Sequence, residues 1–218
     1  MTDPAGTRSA RKLRAIVDAA EAAFLRGGYL GTNMDEIAAA AGVSKQTVYK
    51  HFAGKAGLFQ AVVAATVTAA SDPVAEGIAL AAGTDDVRGT LHALARRQLE
   101  LVLQPRMMRL RRLVIAEAGR FPELGRAFHE QGPARTVDAL AAVLARLAER
   151  GLLEVDDAPL AARQFNWLVM SAPLNRAMLL GEDGPPDPAD VERWAGEGVR
   201  TFLAAYGRGR VPVNARNS

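Results

Sequence analysis

The stretch MDEIAAAAGVSKQTVYKHF, residues 34–52, carries the strongest structural signal in the chain. It reads as two helices of about eight residues, separated by Gly42, Val43 and Ser44, which is the pattern of a helix-turn-helix. Ile37, Ala38, Ala41, Val43 and Val48 supply an apolar side, and the small alanines let two helices cross closely. Gly42 suits a turn conformation that larger side chains resist, and Ser44 is a strong N-cap type for the second helix. That pattern leaves Lys45, Gln46, Tyr49 and Lys50 on the outer face, flanked by Ser44, Thr47 and His51. A face of hydrogen-bonding groups with one aromatic ring suits the major groove, where base edges are read between two rows of phosphates.

Upstream, Leu13, Ile16, Val17, Ala20, Phe24 and Leu25 recur at helical spacing from Ser9 to Arg26, and Gly27-Gly28 ends that helix. Thr32 or Asn33 is placed to cap the next one, and Glu36 completes a capping-box pattern with Asn33. Downstream, a longer helix starts near Lys55 with Leu58, Phe59, Val62 and Val63 inward, and Asp72-Pro73 is expected to end or bend it. Further helices are expected at about 85–103, 106–120, 122–131, 133–150, 158–180 and 187–206, and no sustained strand alternation appears. The expected fold is therefore all-α: an N-terminal three-helix helix-turn-helix domain and a C-terminal helical bundle. The expected divisions are a disordered tail at 1–8, a helix-turn-helix domain at 9–69, a helical domain at 70–206, and a second disordered tail at 207–218.

Composition is compatible with this reading. The chain is 49% hydrophobic and 23% charged, the mixture of a soluble globular protein. The whole net charge of +3 falls in residues 1–55, which hold eight basic against five acidic residues; beyond them the two signs balance. Lys45, Lys50 and Lys55 lie close together there, where they would favour a polyanion. Cysteine is absent, which removes disulfide and thiolate chemistry. No apolar run approaches the roughly 20 residues of a membrane span, and the N-terminus shows no secretory pattern, so a cytoplasmic location with no membrane partner is expected.

The run Ile16, Ala19-Ala20, Phe24, Gly28-Tyr29, Thr32, Ile37-Ala38, Ala41-Gly42-Val43-Ser44-Lys45, Thr47, Tyr49, His51-Phe52, Lys55 and Leu58-Phe59 resembles the DNA-binding domain of TetR-family regulators. The resemblance covers about residues 9–69. Residues 112–169, with Ile115-Ala116-Glu117-Ala118, Phe121-Pro122-Glu123-Leu124 and Arg163-Gln164-Phe165, also resemble the AefR-like C-terminal domain of that family. The resemblance implies an all-helical homodimer in which residues 9–69 form the DNA-binding domain for a double-stranded DNA operator and residues 70–206 form the dimerisation and effector domain for a small molecule, with repression relieved by ligand. It implies phosphate contacts from Thr32, Thr47, Tyr49, His51 and Lys55, and base-edge contacts from Lys45, Gln46 and either Tyr49 or Lys50. One position departs from the family: Asp35 stands where several members carry a basic residue at the start of the second helix.

Duller readings stay open beside these. Tyr49 is compatible with packing in the small domain, the lysines with ordinary solvated charges, and His51 with either packing or phosphate contact. Arg106, Arg109, Arg111 and Arg112 read first as a solvated face paired with acidic neighbours, and second as an anion site. Met107, Met108, Phe121, Phe128, Trp167 and Met170 are core-forming types that are also candidates to line an effector cavity, methionine being adaptable. Phe165, Leu168, Ala172, Val191, Trp194, Val199 and Phe202 form stripes on the last two helices and are expected at a homodimer interface built as a four-helix bundle. His51, His92 and His129 show no metal-ligand spacing, and no nucleotide, hydrolase or metalloprotease motif is present. No cofactor or metal is expected. The alternative function is a helical small-molecule binder, or an enzyme, without operator binding.

Overall fold

A computed structural model describes the backbone of residues 4–81, 85–181 and 184–208, and their side chains outside 4–8 and 68–81. The described residues form ten α-helices, and their one extended pairing is an isolated antiparallel bridge between Leu153 and Gly207. The fold is all-α, as the sequence periodicity predicts. The outermost parts of the two expected tails, 1–3 and 209–218, lie outside the described residues. The chain divides into two compact units.

The first unit comprises residues 1–69 and 109–132. Its N-terminal part holds α1 (Pro4–Gly31), α2 (Met34–Ala40), α3 (Lys45–His51) and the start of α4 (Gly54–Ala81). At Gly28 the helical path of α1 breaks, with φ 70° and ψ 174°, a conformation open to glycine and costly for other residues. Asn33 caps α2 by accepting from the Asp35 N–H at 2.9 Å. Beyond the unit's limit α4 stays helical through Asp72-Pro73 to Ala81, so the expected end at that proline is not found. The helix instead forgoes the one hydrogen bond Pro73 cannot donate.

Ile16, Phe24, Ile37, Val48, Leu58 and Phe59 are the buried centre of this unit. Residues 109–132 join it: α6 (Pro105–Ala118) contributes Leu110 and Val114, and α7 (Pro122–His129) contributes Leu124, Ala127 and Phe128, all buried. Phe121, between those helices, sits 4.7 Å from Tyr29, ring centre to ring centre. Tyr29 in turn meets Phe24 at 5.7 Å and Phe59 at 5.5 Å. The sequence reading assigned residues 109–132 to the second domain, because the contacts that join them to the first are remote along the chain. A π-helical turn, Glu130–Ala134, follows α7 where the sequence reading places a Gly132-Pro133 break.

The second unit, 70–108 and 133–218, is built around α5 (Val87–Val102), α8 (Arg135–Glu149), α9 (Ala158–Leu180) and α10 (Pro188–Tyr206). Here α9 packs on α8, and α10 packs on both α5 and α9. Asp86, Asp157 and Asp187 cap three of these helices, each accepting a backbone N–H at 2.8 Å. Proline in the first turn of α9 and of α10 fits the helix start. Gly198 on α10 lies against Val169 on α9 so closely that a Cβ there would come within 2.8 Å of Val169 Cγ2. Buried Gln98 of α5 donates to Asn166 of α9 at 2.5 Å.

This packing corrects the expected subunit interface. Phe165, Val191, Val199 and Phe202 are buried in the core of a single protomer, and Trp194 packs half-buried against that core. The apolar stripes found by periodicity are consumed when α9 and α10 pack on each other and on α5 and α8. Leu168 and Ala172 do face out, and Leu160 and Trp167 of α9 are exposed with them.

Candidate nucleic-acid interface

Two turns of α3 are enough for a reading element only if something holds them rigidly. Val48, fully buried, anchors the helix from beneath. Ser44 caps it by accepting from the Thr47 N–H at 3.2 Å, and the Ser44 and Thr47 hydroxyls meet at 2.8 Å. Gly42, at φ 65°, makes the turn from α2, and the Val43 N–H closes it by donating to Ala38 O at 3.0 Å. Ser44, Lys45, Gln46, Tyr49, Lys50 and His51 are then exposed, with Thr47 half-buried. Tyr49 keeps 49% of its surface, so the reading of it as a core residue is not what the structure places there.

The structure assembles a charge pair that the sequence reading did not anticipate. Lys45 Nζ lies 2.8 Å from Asp35 Oδ1 and donates to Oδ2 at 3.1 Å, joining the first turn of α3 to that of α2. The hydrogen bond that Lys45 donates to Asp35, and then the charge of that carboxylate, hold the Lys45 pKa above its ordinary value. Asp35 thus ties the lysine at the start of α3 to the start of α2.

Thr32 and Lys55 are placed apart from that face. Thr32 is buried and donates its hydroxyl to Gly28 O at 2.7 Å. Half-buried Lys55, at the start of α4, donates to Thr32 O at 2.6 Å and to Leu30 O at 3.0 Å, and its ammonium sits 5.1 Å from the Tyr29 ring centre. Burial lowers the Lys55 pKa, and the charge of Glu117 opposes that shift. Burial raises the Tyr29 pKa, and the carboxylates of Glu123 and Glu117 add to it. Lys55 is therefore a clasp between the start of α4, the end of α1 and the connection to α2.

The residues considered for an effector cavity are distributed. Met108 and Met170 belong to the packed core of the second unit, Met107 is buried, and Trp167 is 57% exposed. Phe121 and Phe128 lie in the first unit, Phe121 on Tyr29 and Phe128 beneath the Arg111 guanidinium at 5.1 Å. Within the arginine cluster Arg106 and Arg109 are exposed, as a solvated face requires, but the Nε of Arg111 is fully buried without a hydrogen-bond partner. Periodicity alone gives no sign of that orphaned donor. No group of His, Asp or Glu among the described residues could hold a metal ion, and no helix among them is long and apolar enough to cross a membrane.

The sequence profile of bacterial regulatory proteins of the tetR family matches residues 16–62, and that of the AefR-like transcriptional repressor C-terminal domain matches residues 89–208. A TetR-family transcriptional regulator from Mesorhizobium loti MAFF303099 is 42% identical, with 92% of this chain and 98% of that chain covered and a TM-score of 0.85. The flavonoid-responsive regulator FrrA is 32% identical over 92% of this chain and 99% of its own, with a TM-score of 0.72. A TetR regulator from Agrobacterium tumefaciens is 27% identical over 90% and 94%, with a TM-score of 0.69. Among curated proteins none matches in sequence. Regulators of this family bind DNA operators and act as dimers with small-molecule effectors. A capped, rigidly seated α3 with its polar side outward, both domain profiles and 42% identity to a solved relative lead to one assignment: the chain belongs to the TetR family and is a DNA-binding transcriptional regulator, not an enzyme.

Proposed function

We propose that the protein is a cytoplasmic homodimeric repressor that leaves a palindromic operator when a small molecule binds. The observation that carries this reading is the exposed set Lys45, Gln46, Tyr49, Lys50 and His51 on a helix fixed by buried Val48. Lys45 and Gln46 read base edges, and Tyr49, Thr47 and His51 contact flanking phosphates. Pairing of two copies through the exposed apolar residues of α9, among them Leu160, Trp167, Leu168 and Ala172, would place two such helices about 34–36 Å apart, one turn of duplex. The effector acts through α4, which starts at the Lys55 clasp; it must bind the two conformations unequally to shift them. The likeness to a flavonoid-responsive regulator at 32% identity supports an aromatic effector.

Binding of the purified protein to its own upstream region tests this. The expected result is a salt-dependent, sequence-specific complex with two chains per site. Lys45→Ala and Gln46→Ala relax the sequence preference, losing about 1–3 kcal/mol where the contact is a good bidentate one. A protein that ignores its upstream DNA, or one that binds unchanged when both Tyr49→Phe and Lys45→Ala are introduced, would overturn the assignment. In the first case the alternative of a helical ligand-binding protein without operator binding takes its place.

A further inference from the structure

Three buried polar atoms among the described residues have no hydrogen-bond partner: Thr66 Oγ1, Arg111 Nε and Gln131 Oε1. They come from three separate segments of the first unit, namely α4, α6 and the π-helical turn. The first and third of these segments touch. A Cβ built on Gly132, next to Gln131, would lie 3.6 Å from a methyl of Val67, next to Thr66. The Arg111 guanidinium lies over Phe128, three residues before Gln131 on the same winding path. Thr66 is only 5% exposed.

Buried polar groups in folded proteins nearly always find partners, and an orphan implies a missing water, ion or ligand. Arg111 as a whole is half-buried, but its Nε is fully buried and donates to nothing. No carboxylate forms a salt bridge with Arg111 among the described residues. Desolvation accordingly lowers its pKa. The chemistries of the three groups differ in a useful way: Arg111 Nε only donates, Gln131 Oε1 only accepts, and the Thr66 hydroxyl does either. Val67 and Phe128 beside them are apolar. A π-helical turn in this place fits a functional position, since such turns recur at binding sites.

We propose that Thr66, Arg111 and Gln131 form the polar end of a binding site for a small, largely apolar organic acid that also carries a hydroxyl group. The anionic oxygen of the ligand accepts from Arg111 Nε, and its hydroxyl donates to Gln131 Oε1 and accepts from the Thr66 hydroxyl. That this site serves the regulator as its effector site rests on the proposed repressor function; the binding itself does not. The site lies within the unit that contains the helix-turn-helix, and Thr66 lies on the helix that begins at the Lys55 clasp.

The test is fluorescence titration and thermal unfolding of the full chain with 6-hydroxy-2-naphthoate, beside the uncharged 6-hydroxy-2-naphthamide. The acid is expected to bind saturably and raise the unfolding temperature, with the amide weaker by about tenfold or more, the worth of one charge-assisted hydrogen bond. Arg111→Met is expected to weaken the acid by a similar factor. Thr66→Val weakens the acid without destabilising the free protein. Absence of acid binding, equal binding of acid and amide, or full binding by Thr66→Val and Arg111→Met would each overturn the site and leave ordered water as the partner of these atoms. Should Arg111→Met fail to fold, the acid–amide comparison and Thr66→Val decide. Operator binding without ligand is measured in parallel. If the acid binds in the Arg111-dependent way and the operator complex persists, the site stands and the release mechanism falls.

Discussion

Two glycines on α10, two residues apart, should respond in opposite directions to the same substitution. Neither has a positive φ, so alanine is conformationally acceptable at both, and in a helix it gains about 1 kcal/mol over glycine. At Gly196 a new methyl would meet only His92 Nε2, at 3.9 Å, an ordinary contact. Gly196→Ala should therefore stabilise the protein by up to about 1 kcal/mol. At Gly198 the methyl would lie 2.8 Å from Val169 Cγ2 and 3.3 Å from Val169 Cα. The branched valine is stiff about χ1 and cannot swing clear, so relief requires the two helices to part. Overpacking of this kind costs about 1–3 kcal/mol, which outweighs the propensity gain. The two variants should differ by at least about 1 kcal/mol, or roughly 2–4 °C in midpoint for a chain of this size. Thermal and urea unfolding at several protein concentrations reads the difference while controlling for subunit association. If Gly198→Ala proves as stable as Gly196→Ala, the close crossing of α9 and α10 is wrong, and with it the assignment of Val199 and Phe202 to the protomer core.

Asp35→Asn frees Lys45 and removes a negative charge beside the reading face, so operator binding should tighten at low salt and the salt dependence should steepen; gel shifts across a salt series check this. Lys55→Met should lower stability by about 1–2 kcal/mol by removing two charge-assisted hydrogen bonds and a cation–π contact, and should weaken binding to all DNA sequences alike. Tyr29 should ionise above the ordinary phenol value of 10.0 in the folded protein. Its unfolded form ionises first, so the protein should lose stability as the pH rises from about 10 toward the folded value; the absorbance difference between wild type and Tyr29→Phe follows the titration.

The helices were largely legible in the sequence because their signals are local. The Leu13–Leu25 stripe, the Asn33 and Ser44 caps and the Gly42 turn each act within a few residues, and the structure places these features accordingly. The exposed polar face of α3 followed from one buried position, Val48. Partnership between remote segments was not legible. The Lys45–Asp35 pair depends on how two helix starts approach, and Tyr29 on Phe121 depends on a contact across more than ninety residues. Periodicity also finds an apolar stripe without saying what covers it. For Phe165 and Phe202 the cover is another helix of the same chain, at 5.1 Å ring to ring.

Phe121 on Tyr29 bears on any attempt to exchange operator-reading heads between regulators. A fragment cut after residue 69 would carry Phe24, Tyr29 and Phe59 but leave behind Phe121 and Leu124. Such a head would present a sticky aromatic patch to solvent and be prone to clumping. A chimera that keeps its specificity and its solubility has to import the α6–α7 corner along with α1–α3 and the start of α4, as a graft made of two pieces of sequence.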